Sequence, residues 1–293
     1  MLRELTEPFA RVTAAEASAL VEAQWGIAAT ALDRLDTERD DSFRVRGEVD
    51  HLLKIAHPLD GATYVRLQTE AMARAGRAGL PVQSVLGTAT VDGRIARLLT
   101  WLPGALMRET PYGLDAVTAT GASLARVAQT LAGFEHPGAH RTFAWDLQSF
   151  GALRRLEHPA ALDAVFERFA ALDLAALPHQ VIHNDFHPGN LLVDADDPAW
   201  ITGILDFGDT VHAPRVQDLA VALAYLLPDD GDPIPTIAAF VEGYAGVTQL
   251  LPAELEALPV LIAARLGQRI ILPPLLEPGL TPAPSLLRTL ERL

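Results

Sequence analysis

The chain has no cysteine and a single lysine among its 293 residues. The first absence leaves no disulfide framework and no thiol chemistry. Long apolar runs are missing too. Hydrophobic residues make up 49% of the chain, yet no run approaches a membrane span, and the opening MLRELTEPFARV lacks the apolar core of a secretory signal. A cytoplasmic protein with no membrane partner is expected. Positive charge is scarce: 23 Lys plus Arg face 37 Asp plus Glu, for a net charge of −14. Such a surface repels nucleic-acid phosphates and tilts mildly toward a cationic small-molecule partner. No internal repeat is present, and the length suffices for two core-bearing lobes.

What is present concentrates in HNDFHPGN (183–190) and ILDFGD (204–209). Asp185 precedes Asn190 by five residues and Asp206 by twenty-one. Phosphoryl transfer to a hydroxyl needs such a set: one carboxylate to take the hydroxyl proton, and an amide oxygen with a second carboxylate to hold magnesium on the nucleotide phosphates. In that arrangement Asp185 is the base, and Asn190 and Asp206 are the metal ligands. Two protein ligands are enough, because phosphates and water complete the octahedron of this hard ion. Short apolar runs at 181–183, 191–193 and 200–205 read as strands separated by the turns DFHPGN and DADDP. The plainer alternative is a proline-glycine turn with Asp206 as a helix cap; order and spacing together disfavour it.

The single lysine sharpens the pattern. Lys54 sits in the strand-like run HLLKIA, while the other 22 basic residues are arginine. A compact ammonium suits phosphate as a point charge where a guanidinium fork is bulkier. The competing reading is an edge-strand lysine facing water. A lysine on the inner side of a sheet needs a carboxylate partner, and Glu70, on a predicted helix over 63–79, is the expected one. Against it, Arg66 and Arg74 flank Glu70 at i±4 and allow an ordinary surface ladder.

The coarse organisation follows. Thr13 and Glu16 form a capping-box signal for a helix over 13–26. Strands near 29–35, 42–46, 50–56, 82–90 and 94–101 make an antiparallel sheet, and helices are expected over 113–133, 158–172, 214–227, 234–246, 252–272 and 283–292. The proline-rich stretches 228–235 and 273–284 read as loops. An α+β, two-lobed fold is expected, with a nucleotide-binding lobe over 1–102 and a catalytic and substrate-binding lobe over 103–293.

Beyond these motifs, DDSF (40–43), LLKI (52–55), RLLTWLPG (97–104) and the stretch from Ile204 to Ala220 carry a family resemblance. The chain resembles the aminoglycoside phosphotransferase and choline kinase group, small-molecule kinases with a protein-kinase-like core, and within it the hydroxylysine kinase-like proteins. The resemblance spans roughly residues 28–246. It implies that Lys54 binds phosphate and Glu70 pairs with it. It makes Asp185 catalytic, with Asn190 and Asp206 on magnesium. His183 braces the catalytic loop and Asp218 steadies it from below. The stretch Leu98 to Leu102, with Leu99, Thr100 and Trp101 at its centre, meets the nucleotide base. In place of a G-x-G-x-x-G loop the chain has RLDTERDDSFRVRGEVD (34–50), so Ser42 and nearby amides would face the phosphates of ATP or GTP.

Asp209 leans to a substrate ammonium, with capping of the next turn as the alternative. His187 contacts either the substrate or loop backbone. His212 and Arg215 are expected to bond loop carbonyls. Arg265 and Arg269 share one helix face at i, i+4; a substrate carboxylate is one reading for them, and exposure to solvent is the expected one. The implied activity is magnesium-dependent phosphorylation of a hydroxyl on a small amine or amino acid, hydroxylysine-like. Aminoglycoside, homoserine or choline-type acceptors remain open, as does a catalytically silent pseudokinase; the complete set of site residues weighs against the last.

Overall fold

The computed structural model describes residues 2, 6–277, 280–281 and 283–293. Helix α1 (Ala14–Trp25) starts at the expected capping box: Glu16 N donates to Thr13 Oγ1 at 3.2 Å, and Thr13 N donates to the Glu16 carboxylate at 2.8 Å. It ends at Gly26, whose φ of 65° is the left-handed cap that glycine adopts freely. Strands β1 (Ala31–Leu35), β2 (Asp41–Arg46), β3 (His51–Ile55), β4 (Val85–Val91) and β5 (Arg94–Thr100) form an antiparallel sheet in the order β1-β2-β3-β5-β4. Helix α2 (Ala62–Arg77) lies between β3 and β4 in sequence.

The two-residue period of a strand sorts β3 between two environments. Leu53 and Ile55 join Phe43, Val45 and Leu98 in a core capped by Ala17 and Val21 of α1. Leu52 falls on the other face, where it shares one continuous core with Ala71 and Met72 of α2 and with the helical remainder of the chain. Lys54 occupies that second face, opposite Ser42 on β2 and Arg97 on β5.

Past the connection 101–104, β6 (Ala105–Leu106) leads into α3 (Leu114–Leu131). Helix α4 (Asp163–Ala170), β7 (His179–Ile182), β8 (Leu191–Val193), β9 (Ile201–Ile204) and β10 (Val211–Pro214) follow. Then come α5 (Val216–Leu226), α6 (Ile234–Ala245), α7 (Pro252–Ile271), the single turn α8 (Pro273–Leu276) and α9 (Pro284–Glu291). Strands β6, β8 and β9 make one small antiparallel sheet, and β7 pairs with β10. Helix α5 is buried from Val216 through Ala224, the signature of a central helix. No helix among the described residues is long and apolar enough to cross a membrane.

Several expected elements need correction. The helix expected over 158–172 is only Asp163–Ala170, preceded by a 3-10 turn at Ala160–Leu162 that follows Pro159. Residues Leu147–Arg155 form 3-10 turns that no apolar period announced. Strand β10 was not anticipated; Pro214 ends it, so the helix expected from 214 starts at Val216. Within the stretch 273–284, residues 278, 279 and 282 lie outside the described residues, and Pro273–Leu276 is helical, not loop. Arg215 donates to the Gln249 carbonyl as expected, and also pairs with buried Glu254 at 2.7 Å. The His212 ring instead packs against the rings of His140 and His179.

Helices α3 and α6 cross at glycines. A Cβ on Gly243 would lie 1.9 Å from the Thr118 carbonyl oxygen, and one on Gly121 would lie 2.1 Å from the Phe240 carbonyl oxygen. Backbone cannot yield as a side chain does, so Gly243→Ala must separate the helices. It is expected to cost about 3 kcal/mol in urea unfolding. Gly26→Ala, strained in φ but with open space around its Cβ, is expected to cost only about 1 kcal/mol. Equal costs would show that the crossing is not tight.

Candidate active site

Strand β7 delivers the chain to His183, where a turn begins. Asn184 takes a left-handed backbone, φ 63°, which costs energy in any non-glycine residue and persists only when held. Asp218, in the first turn of α5, holds it: its two carboxylate oxygens accept from His183 N at 3.0 Å and Asn184 N at 2.5 Å. Burial pushes the Asp218 carboxyl up to about 7, and these two bonds oppose the rise. The His183 Nδ1 accepts from Asp185 N at 3.2 Å, which leaves Nε2–H to donate to the Leu205 carbonyl at 3.0 Å. Burial lowers the pKa of this neutral ring. One imidazole therefore ties Asp185 to the residue before Asp206.

Asp185 lies at the centre of the cleft. Its Oδ2 accepts from Asn190 Nδ2 at 2.6 Å, and its Oδ1 lies 3.3 Å from both His187 Nε2 and Arg265 Nη2. Burial works against its charge, but the His187 ring and then the Arg265 guanidinium outweigh it and hold the carboxyl well below the usual carboxylate range. The His187 Nδ1 accepts from Gly189 N at 3.0 Å, so the proton sits on Nε2, facing Asp185. Its ring stacks on Tyr225 at 4.2 Å. His187 thus meets loop backbone and the Asp185 carboxylate at once. The Asn190 amide nitrogen is spent on Asp185, which leaves its oxygen as a free acceptor.

Asp206 follows β9, again with a left-handed backbone, φ 53°. Its Oδ1 accepts from Lys54 Nζ at 2.7 Å and from Gly208 N at 2.9 Å. A Cβ at Gly208 would come within 2.6 Å of that oxygen, so a larger residue there would push the Asp206 carboxylate aside. Lys54 has a second carboxylate, Asp40 Oδ2, at 3.2 Å. Burial disfavours the ammonium, yet Asp206 and Asp40 together raise its pKa above that of an ordinary lysine. Among the described residues no three His, Asp or Glu side chains converge as a metal-ligand set. Oxygen donors for a hard cation are nevertheless at hand in the Asn190 amide and the Asp206 carboxylate.

Two expectations are corrected by these positions. Glu70 does not pair with Lys54; its side chain is 48% exposed and points to His136 at 4.0 Å. The α2 residue lining the cleft is Gln68, two positions earlier, on the buried stripe with Tyr64, Leu67 and Ala71. Gln68 accepts from Arg97 at 2.6 Å. Arg265 and Arg269 are not solvent-facing: Arg265 is buried beside Asp185, and Arg269 lies over Tyr225 at 3.9 Å and donates to the Ala224 carbonyl. A lone arginine inside the apolar run VLIAARLG was the signal, and a helix rich in buried positions on every side is where it carries weight.

Ser42 is buried beside Lys54, while the loop residues lining the cleft are Thr37 to Asp40. Glu38 reaches across to accept from Trp145 Nε1 at 3.0 Å, and burial raises its pKa. In the connection between sheet and helices, Leu99 is buried in the main core. Thr100 is committed to the sheet edge: its N donates to the Ser84 carbonyl and its carbonyl accepts from Gln83. Trp101 lies under the Arg44 guanidinium at 4.4 Å. Asp209 lies 3.6 Å from Arg141, whose guanidinium is stacked between Tyr64 and Phe143 at 3.7 Å each. Burial, helped by the charge of Asp185, pushes Asp209 up to about 7.

Comparison with known proteins agrees with this geometry. The model of the phosphotransferase enzyme family, APH, matches residues 30–258. Hydroxylysine kinase of Mus musculus is 27% identical over 305 residues, spanning 89% of this chain and 81% of that protein. Homoserine kinase of Azorhizobium caulinodans is 31% identical over 219 residues, 71% of this chain and 67% of that protein. Among solved structures, a microcompartment-associated aminopropanol kinase superposes with a TM-score of 0.73 at 18% identity, covering 95% of this chain and 93% of that one. This last likeness concerns the fold: a five-stranded antiparallel sheet followed by a helical region. A matched span this long, with the kinase-like cleft inside it, makes the chain a member of the APH phosphotransferase enzyme family and a kinase.

Proposed function

We propose that the protein moves the γ-phosphate of ATP or GTP to a hydroxyl of a small amine or amino acid, hydroxylysine-like in class. The observation carrying this reading is the convergence of Asp185, Asn190, Asp206 and Lys54, from three separate segments, on one cleft. Asp185 orients the acceptor hydroxyl and takes its proton. The hydroxyl oxygen forms a bond to the γ-phosphorus as the bond to the bridging oxygen breaks, and the nucleoside diphosphate leaves with that electron pair. Lys54 moves its charge from Asp40 to the phosphates. Asn190 and Asp206 would hold magnesium, which would supply positive charge to the nucleotide phosphates. The base of the nucleotide meets the connection around Leu99, Thr100 and Trp101, and Asp209 and His187 face the acceptor. Ser42 and the amides of 37–40 cover the phosphates. His183 and Asp218 act only through the loop they brace. The same reading assigns nucleotide to residues 1–102 and acceptor to 103–293, with no nucleic-acid or membrane partner.

Similarity to hydroxylysine kinases over most of the chain supports the acceptor class, and similarity to a homoserine kinase keeps a shorter hydroxy amino acid in view. Aminoglycoside and choline-type acceptors are the wider alternatives. A silent pseudokinase is disfavoured because none of the residues this reading needs, Asp185, Asn190, Asp206 and Lys54, is missing from the chain. The deciding experiment is a screen of hydroxy amino acids and amino alcohols, scoring phosphorylated product formed with magnesium-nucleotide. Nucleotide binding with no product from any acceptor would favour the silent reading.

Asp185→Asn is expected to cut turnover by about 10²–10⁴, the worth of a general base, while nucleotide affinity measured by calorimetry stays unchanged. Loss of binding together with turnover would place Asp185 on the nucleotide instead. For Lys54, an amine-reactive nucleotide analogue can label only this residue or the chain's N-terminal amine. Magnesium-nucleotide should block the label, and Lys54→Arg should stay inactive because the fork does not reproduce the point charge. Glu70→Ala should remain within a few-fold of the parent; a collapse would restore Glu70 as the partner of Lys54.

A pH dependence follows from Asp209. Its carboxyl, raised to about 7, protonates as pH falls through neutrality, so kcat/KM for a cationic acceptor should drop below pH 7. Asp185, held well below the usual range, contributes no limb there. Asp209→Asn should flatten the profile. A limb near 7 that survives in that variant would belong to another group.

A further inference from the structure

Arg265 has more donors than the fold uses. Its guanidinium is almost wholly buried, with 1% of the side chain exposed, yet it lines the cleft. Nη1 is satisfied, donating to the Trp145 carbonyl at 2.7 Å and to Gln268 Oε1 at 3.2 Å. The opposite edge is not. Nη2 reaches Asp185 Oδ1 at only 3.3 Å, and Nε has no partner. Nε and Nη2 together form the side of a guanidinium that takes a carboxylate through two parallel hydrogen bonds. The group is fixed in place by helix α7 below and by the Trp145 and Tyr225 rings, at 4.8 and 5.8 Å. Leaving a charged donor buried and half-satisfied is costly unless a ligand completes it.

The neighbouring ring offers a third donor. Trp145 Nε1 points into the same cleft and is taken at 3.0 Å by a carboxylate, that of Glu38. Glu38 comes from the loop between β1 and β2 that covers the site, and it senses the charges of both Asp185 and Arg265. An acidic side chain from a partly exposed loop thus rests on the indole N–H beside the unfinished arginine edge.

From this geometry we infer that Arg265 and Trp145 form a seat for the carboxylate of the acceptor, so that the substrate is a hydroxy amino acid and not a simple amino alcohol. Glu38 fills part of the seat in this structure and withdraws when the acceptor enters. Arg265 adjoins Asp185 directly, which places a bound carboxylate beside the base and a hydroxyl a few bonds away within its reach. Asp209 and Asp60, also lining the cleft, face the ammonium end. The inference rests on the kinase reading and adds the chemical class of the acceptor to it.

The test compares acceptors that differ only by the carboxylate: hydroxylysine against 1,5-diamino-2-pentanol, and homoserine against 3-amino-1-propanol. With the full-length protein and magnesium-ATP, kcat/KM for the amino acid should exceed that of its decarboxylated partner by about a hundredfold or more, since a site built around a polar group rejects an analogue lacking it. Arg265→Gln and the gentler Trp145→Phe, which keeps a ring but removes the N–H, should each shrink that ratio at least tenfold, mainly through KM of the amino acid. Arg265 also touches Asp185, so the ratio and not the absolute rate is the readout. Equal use of both partners by the parent protein would overturn the seat while leaving the kinase reading intact. So would variants that slow both partners equally, the result expected if Arg265 only positions Asp185. Phosphorylation of neither pair, with an aminoglycoside or choline accepted instead, would overturn the seat together with the proposed acceptor class.

Discussion

The ion pair between Lys54 and Asp206 joins two parts of the chain 152 residues apart, and the rest of the cleft is arranged around it. One partner is on the central strand of the sheet and the other follows the small sheet of the helical region. Such a pair is a weak source of stability, because removing two charges from water offsets most of their attraction. Its consequence is positional. The ammonium is held charged between two carboxylates, where the proposed reading puts the phosphate oxygens, and the Asp206 carboxylate is fixed by a second bond from Gly208. The acidic loop carrying Asp40 supplies a temporary counter-charge to Lys54 where a glycine-rich loop would have offered only backbone amides.

Around this pair the chain accepts local strain. Asn184 and Asp206 both hold left-handed backbones, and each is over-determined by its neighbours. Asp218 grips the first from helix α5 through two backbone N–H groups, and the His183 ring ties both segments together. Removing the brace would relax the turn that aims Asp185, so on the proposed reading Asp218 would affect turnover through position alone.

Much of this was legible in the residues. The five-stranded sheet, the capping box of α1 and the spacing of Asp185, Asn190 and Asp206 all carry local signals: alternation, a cap and a turn. What escaped was decided by tertiary packing. Glu70 and Gln68 are two residues apart on one helix, and a rotation of about 200° separates their faces. Only the stripe Tyr64, Leu67, Gln68, Ala71 shows which faces inward. Arg265 was misplaced by the assumption that helix arginines are exposed, which fails for a helix buried on nearly all sides. Strand β10 and the 3-10 turns at 147–155 are held by pairing and packing with distant residues, so no local period announces them.

The charge of the cleft ties these findings to the chemistry. Glu38, Asp40, Asp60, Asp185, Asp206 and Asp209 all line it, against Arg39, Lys54 and Arg265. Burial raises the pKa of Asp209 and of Glu38, and the charge of Asp185 adds to both rises. Burial opposes the charge of Asp185 and Asp206 as well, but both are driven the other way, the first by His187 and Arg265 and the second by Lys54. On the proposed reading, an acceptor ammonium or a metal entering the cleft would relieve part of the repulsion. The acidity of the cleft would thus favour cationic partners, while Asp185, the carboxylate assigned to accept the proton, would stay ionised beside His187 and Arg265.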